Sequence, residues 1–173
     1  QEKSARTKFF PKNLVQAAFT TNSFGYEVND VLSERKVSVF WGGAVDVKQG
    51  LTLQYQRNIF HTARLFSFDI GVNVGAWKTL INNENFFSIS LFPVLRLTPV
   101  RTNEADLYFY YSIAGPSLIS DPLLDKMDTG RRFTFQDLMG MGIFAGKNRR
   151  YNAEVRIGHY SNLNQSTSSA TLS

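Results

Sequence analysis

The stretch LFSFDIGVNVGAWK (65–78) alternates from end to end. Phe66, Phe68, Ile70, Val72, Val74 and Ala76 fall on one face of an extended chain. Ser67, Asp69, Gly71, Asn73 and Gly75 fall on the other. Period two marks a two-sided β-strand, because successive side chains of a strand point to opposite faces. The pattern recurs in KVSVFWGGAVDV (36–47), LTLQYQRNIF (51–60), FFSISLFPVLRL (86–97), ADLYFYYSIAG (105–115), RFTFQDLMGMGIFAG (132–146) and YNAEVRIGHYSN (151–162). In the run at 86–97, Phe87, Ile89, Leu91, Leu95 and Leu97 oppose Ser88, Ser90 and Arg96.

Between the runs lie the turn-like pieces VKQG, FHTAR, KTLINNEN, TPVRTNEAD and KNRR. One connection is longer, GPSLISDPLLDKMDTGR (115–131), and its two prolines argue against a helix there. Seven strands result, and an eighth is expected either from residues 14–21 or beyond 162. An antiparallel meander of this kind closes into a barrel to remove its edges. The expected fold is all-β, an eight-stranded antiparallel transmembrane β-barrel whose last strand is apparently incomplete. Residues 1–36 are expected to form an N-terminal periplasmic or plug segment, and 37–173 the β-barrel domain.

Alternation alone does not say which face points inward. A soluble lipid-carrying barrel places the apolar face inside, and a membrane barrel places it outside. Three details favour the membrane. The polar faces carry full charges (Asp69, Arg96, Glu154, Arg156) and many glycines, as a narrow hydrogen-bonded lumen requires. Trp77, Phe86, Phe87, Phe133 and Phe135 crowd the strand ends, where an interfacial girdle is expected. The runs are long enough to cross a bilayer when tilted.

Composition sets the outer limits. At 173 residues, with 43% hydrophobic residues, the chain suits one domain. It has no cysteine, which excludes disulfides and thiolate metal sites. No run of about 18 apolar residues exists, so no transmembrane helix is expected. The chain opens at Gln1 on the polar QEKSARTKFF and reads as a processed, mature form. Neither of the two histidines, His61 and His159, sits in a metal-ligand pattern, and no cofactor or metal is expected. GMGIFAG lies within a strand and opens no helix, so it is not a phosphate loop. A net charge of +5 is thin ground for nucleic-acid binding, and none is expected.

The run at 151–162 carries the candidate chemistry. Tyr151, Ala153, Val155, Ile157, His159 and Ser161 share one face. His159 and Ser161 therefore belong to the apolar side, where polar groups are costly. Residues two apart on a strand lie about 7 Å apart on one face. At that distance an imidazole can accept a serine proton and release a nucleophile for an ester carbonyl. Polar residues at an interfacial strand end are the plainer reading of the same pattern.

A third group falls into place if the hairpin turns at KNRR. Asp137, the one charge in the apolar stripe of 133–143, then faces His159 across the strand pair. A carboxylate there either holds the imidazole tautomer or serves the barrel structurally. A one-residue slip in register would separate the two.

RFTFQDLMGMGIFAG followed by VRIGHYSN resembles the PagL-type lipid A 3-O-deacylases of Gram-negative outer membranes. The match lies mainly in 132–162: Phe135 and Asp137, the glycines Gly140 and Gly142, and the H-x-S-N string. The resemblance implies an eight-stranded barrel of the cell outer membrane with a serine esterase site on its lipid-facing wall. It implies lipid A (lipopolysaccharide) as substrate and membrane lipids as surroundings. His159 would be the general base, Ser161 the nucleophile and Asn162 the oxyanion aid, with Asp137 as an auxiliary acid or structural group. The family's triad acid, a glutamate about a dozen residues beyond the serine, has no counterpart in LNQSTSSATLS. The sequence is therefore expected to lack the last strand. A non-catalytic barrel on the same scaffold is the alternative function. Put at the periplasmic side, the KNRR turn sends 151–162 outward, so His159, Ser161 and the long 115–131 loop lie near the outer leaflet. Arg131 and Arg132 could then meet lipid A phosphates, or be ordinary solvated loop charges.

Overall fold

A computed structural model describes residues 10–21, 47–128 and 132–161. Its strands are β1 (Asn13–Thr21), β2 (Val47–His61), β3 (Phe66–Thr79), β4 (Asn85–Arg101), β5 (Ala105–Ile119), β6 (Leu123–Leu124), β7 (Met127–Asp128), β8 (Phe133–Ala145) and β9 (Tyr151–Ser161). Seven of them form one antiparallel sheet in the order β1-β2-β3-β4-β5-β8-β9, nearly closed into a barrel. Side chains link its first and last described strands through the interior. Gln16 Nε2 donates to Glu154 Oε2 at 2.9 Å and also reaches Asn152 Oδ1.

The exposure pattern settles which face points out. Leu51, Leu53, Ile70, Val72, Val74, Ile89, Leu91, Met141 and Val155 are exposed, whereas Gln54, Gln56, Asp69, Asn73, Ser90 and Arg96 are buried. An apolar belt wrapped around a polar interior is the membrane arrangement, since lipid rather than water covers the belt. The soluble alternative, with greasy faces inward, is thereby ruled out.

Inside the barrel, charge is neutralised pairwise. Arg96 forms a buried ion pair with Asp69 and donates from Nη2 to Gln56 Oε1 at 2.7 Å. Its guanidinium also sits 4.9 Å from the centre of the Tyr108 ring. Glu154 accepts the hydroxyls of Tyr108 (2.7 Å) and Tyr110 (2.8 Å). Arg156 donates to Gln54 and Thr52. Buried charges need such partners because desolvation is otherwise uncompensated. Phe92, Val94, Tyr108, Tyr110, Leu138 and Phe144 pack as one apolar cluster within the lumen. The glycine pair singled out in the sequence makes room for this packing. A Cβ on Gly142 would lie 2.4 Å from the Tyr108 hydroxyl, and one on Gly140 would lie 2.6 Å from the Val155 carbonyl oxygen.

Several boundaries differ from the sequence reading. Val47–Gly50, read as a turn, is the start of β2, which carries a register shift between Val47 and Gln49. Ladder pairing continues past the apolar run because backbone hydrogen bonding is indifferent to side-chain polarity. The run read at 36–47 lies outside the described residues except for Val47, and residues 14–21 are the strand that pairs with β2. The connection read at 115–131 begins only after Ile119. A bulge between Ser112 and Gly115 lets β5 continue through Pro116. Within the connection, β6 and β7 form a tight hairpin whose central residues, Asp125 (φ 51°) and Lys126 (φ 64°), are left-handed.

The aromatic girdle is only partly as expected. Phe87 and Phe133 are exposed, but Trp77 and Phe86 point inward. They pack with Val47, Ile119, Leu124 and Tyr160 and fill one mouth of the barrel. Their positions share the parity of the polar residues on their strands, and parity decides orientation before chemistry does.

Candidate active site

The barrel ends are unequal. The connections at 62–65, 102–104 and 146–150 are short and lie together at one end. Those at 80–84 and 120–132 lie at the other. Periplasmic turns of outer-membrane barrels are short and external loops longer. The end carrying Trp77, Leu118, Phe133 and position 161 is therefore the external one.

The turn between β8 and β9 fixes the register there. Gly146 (φ 77°), Asn148 (φ 60°) and Arg149 (φ 55°) all take left-handed conformations, which reverses the chain within five residues, 146–150. Arg149 locks the turn to the neighbouring one, with Nε 2.9 Å from Asp106 Oδ2 and Nη2 donating to the Thr102 carbonyl at 2.6 Å. The ladder then runs without a shift: Asp137 opposite His159, Gln136 opposite Tyr160, Phe135 opposite Ser161. The partner of His159 is the one that a KNRR turn requires.

Positions 159 and 161 continue the parity of Val155 and Ile157, which are exposed on the outer wall. The side chains of His159 and Ser161 lie outside the described set, and so does Asn162 altogether. Asp137 is half-buried. Its Oδ1 accepts the backbone N–H of Ala114 at 2.7 Å. Ala114 (φ 49°) is the strained residue of the β5 bulge, so the carboxylate compensates an irregular, unpaired piece of backbone.

Beside position 161 the wall is aromatic. Phe133 and Phe135 meet edge to face, with ring centres 5.1 Å apart. Pro116 and Leu118 of β5 pair with them in register. Of the two arginines considered for phosphate contact, Arg131 is outside the described residues and Arg132 is exposed just before β8.

Sequence reasoning did not find the Ala114 bulge, nor Gln136 and Tyr160 as partners within the lumen. Gly115–Pro116 was the available sign of the bulge, since both residues disrupt regular pairing. Gln136 and Tyr160 are register neighbours through the same KNRR turn, whereas the reach from them to Asn73 and Ser88 gave no sign, because it depends on barrel curvature.

Over the external mouth, Asp125 ties the β6–β7 hairpin to the β3–β4 turn. It accepts from Thr79 Oγ1 (2.6 Å), the Asn82 N–H (2.8 Å) and the Ile81 N–H (3.2 Å). Burial works against ionisation of Asp125, but these donors outweigh it and hold the carboxyl below its ordinary range.

The fold and the position of this patch define a class: an outer-membrane β-barrel with an acid and two candidate reactive positions at the external end of its lipid-facing wall. A family model described as lipid A 3-O-deacylase (PagL) matches residues 48–168. The chain belongs to this family of ester hydrolases of the Gram-negative outer membrane. A solved structure titled as the crystal structure of the outer membrane enzyme PagL superposes with a TM-score of 0.55 at 16% identity. The match covers 70% of this chain and 83% of that one. No curated protein matches.

Proposed function

We propose that this chain is a serine esterase that removes an ester-linked 3-hydroxyacyl chain from lipid A. The observation that carries the reading is the β8–β9 register. It sets Asp137 opposite His159, with position 161 on the same outward parity at the external end. A lipid A acyl ester lies at that depth, in the outer leaflet.

His159 takes the proton of the Ser161 hydroxyl as its oxygen attacks the ester carbonyl carbon. Asn162 contributes to the oxyanion site. As the tetrahedral intermediate collapses, the sugar oxygen leaves with the proton that His159 returns, and an acyl-serine remains. Water then attacks, gives a proton to His159, and the 3-hydroxy acid departs as Ser161 recovers its proton. Asp137, one oxygen already fixed by the Ala114 N–H, orients the imidazole and balances its charge. The Phe133–Phe135 wall offers apolar contact to the acyl chain. No step calls on a metal or a cofactor.

Mass spectrometry of lipid A from cells expressing the chain tests this, beside Ser161→Ala and His159→Ala. One hydroxyacyl group should be lost with the parent chain and retained with both variants. Unchanged lipid A despite a folded, outer-membrane-located parent would support the non-catalytic barrel instead.

A further inference from the structure

Tyr160 lies between His159 and Ser161 in the sequence, and its side chain points the opposite way, into the lumen, where it is 6% exposed. Its hydroxyl joins a chain of buried hydrogen bonds crossing four strands. Asn73 Nδ2 on β3 donates to Gln136 Oε1 on β8 at 2.7 Å, and Gln136 Nε2 donates to Tyr160 Oη at 2.6 Å. Tyr160 Oη lies 3.2 Å from Ser88 Oγ on β4, which also accepts Trp77 Nε1–H at 2.7 Å. The Tyr160 ring meets Trp77 edge-on, with centres 6.2 Å apart.

This arrangement clamps one point of β9, and that point lies between the two reactive positions. A ladder with β8 fixes spacing from a single neighbour. It leaves the end of β9 free to shift with β8 as a unit. The Tyr160 hydroxyl adds an anchor on β4 through Ser88 and, relayed by Gln136, one on β3 through Asn73, both deeper in the sheet. Any displacement of the 159–161 backbone must then break buried polar contacts, which are costly to leave unmade.

We propose that Tyr160 is a positioning residue for the esterase. By bonding to Gln136 and Ser88 inside the barrel, it fixes the strand end that carries His159 and Ser161 on the outside. The inference rests on the serine-esterase reading above. Tyr160 touches no reacting atom, so its effect falls on alignment of nucleophile and base. Misplacement of reacting groups by about 1 Å costs up to about 100-fold in rate.

The test uses the full chain in detergent, with lipid A as substrate. Tyr160→Phe keeps the ring against Trp77 and removes the hydroxyl. It should lower kcat by about 10-fold to 100-fold with KM little changed. The rate of Ser161 labelling by a fluorophosphonate should fall in the same proportion. Heat-modifiable migration on gels should match the parent. Gln136→Met removes the donor on the other side of the bond and should act in the same direction. The double variant should lose less than the sum of the two singles, since both break the Gln136–Tyr160 bond. Parental kcat and labelling rate in folded Tyr160→Phe would overturn the proposal, as would additive losses in the double variant. Ser161→Ala separates this from failure of the underlying reading. If Ser161→Ala is inactive while Tyr160→Phe is fully active, only the positioning role fails. If Ser161→Ala retains activity, the serine mechanism and this proposal fall together.

Discussion

Asp137 stands opposite His159 across the β8–β9 ladder while its Oδ1 accepts the Ala114 N–H from β5 at 2.7 Å. One carboxylate thus serves a bulge on β5 from a position in register with the proposed base. Asp137→Asn separates the two duties, because an amide oxygen still accepts the Ala114 N–H but carries no charge. If Asp137 is the acid, Asn should lower kcat steeply at unchanged thermal stability. Asp137→Ala should lower both, with the orphaned N–H costing about 1–3 kcal/mol. Deacylation kinetics beside thermal unfolding in detergent distinguish these outcomes.

The Arg96–Asp69 pair makes a strong prediction for stability. Asp69→Leu leaves a guanidinium buried without its counter-charge and should destabilise the barrel by about 3–5 kcal/mol. Replacing both partners, as Asp69→Leu with Arg96→Met, should be much milder. Urea unfolding in lipid vesicles, followed by tryptophan fluorescence, measures the difference. Equal losses in the single and double variants would show that the unpaired guanidinium carries no penalty of its own.

The Asp125 latch should loosen in acid. Its carboxyl is held below the ordinary range in the folded protein, so the ionised form stabilises the hairpin contact. That contribution is fully present above the unfolded value of about 4. It is lost as pH falls through the lower folded value. Amide exchange at Ile81 and Asn82, corrected for intrinsic rates, should accelerate on acidification. In Asp125→Ala it should already be fast at neutral pH.

The outward face predicts a depth-dependent cost. Val72 lies near the middle of β3 on the lipid side. Val72→Arg should therefore cost about 2–4 kcal/mol in vesicles. Ile81→Arg, in the external turn, should cost almost nothing. Similar effects at the two positions would argue that lipid does not cover the belt.

Much of this protein was legible in one dimension. A strand has two faces by geometry, so strict alternation over 65–78 was enough to give strands, and their number and turns gave a barrel. A short hairpin ties register to sequence, so the KNRR turn was enough to pair Asp137 with His159. Alternation is symmetric, however, and does not by itself tell inside from outside. That was decided in the tertiary structure, where the lumen buries Arg96 with Asp69 and turns Ile70, Val72 and Val74 outward. Curvature decided the rest. It brought Ser88 to Tyr160 and Asn73 to Gln136 across strands remote in sequence, and it gathered Trp77 and Phe86, turned inward by parity, with Ile119, Leu124 and Tyr160 to fill the mouth. The β5 bulge was likewise hidden, because it arises where backbone left unpaired at Ala114 finds Asp137, and no local pattern records a partner 23 residues away.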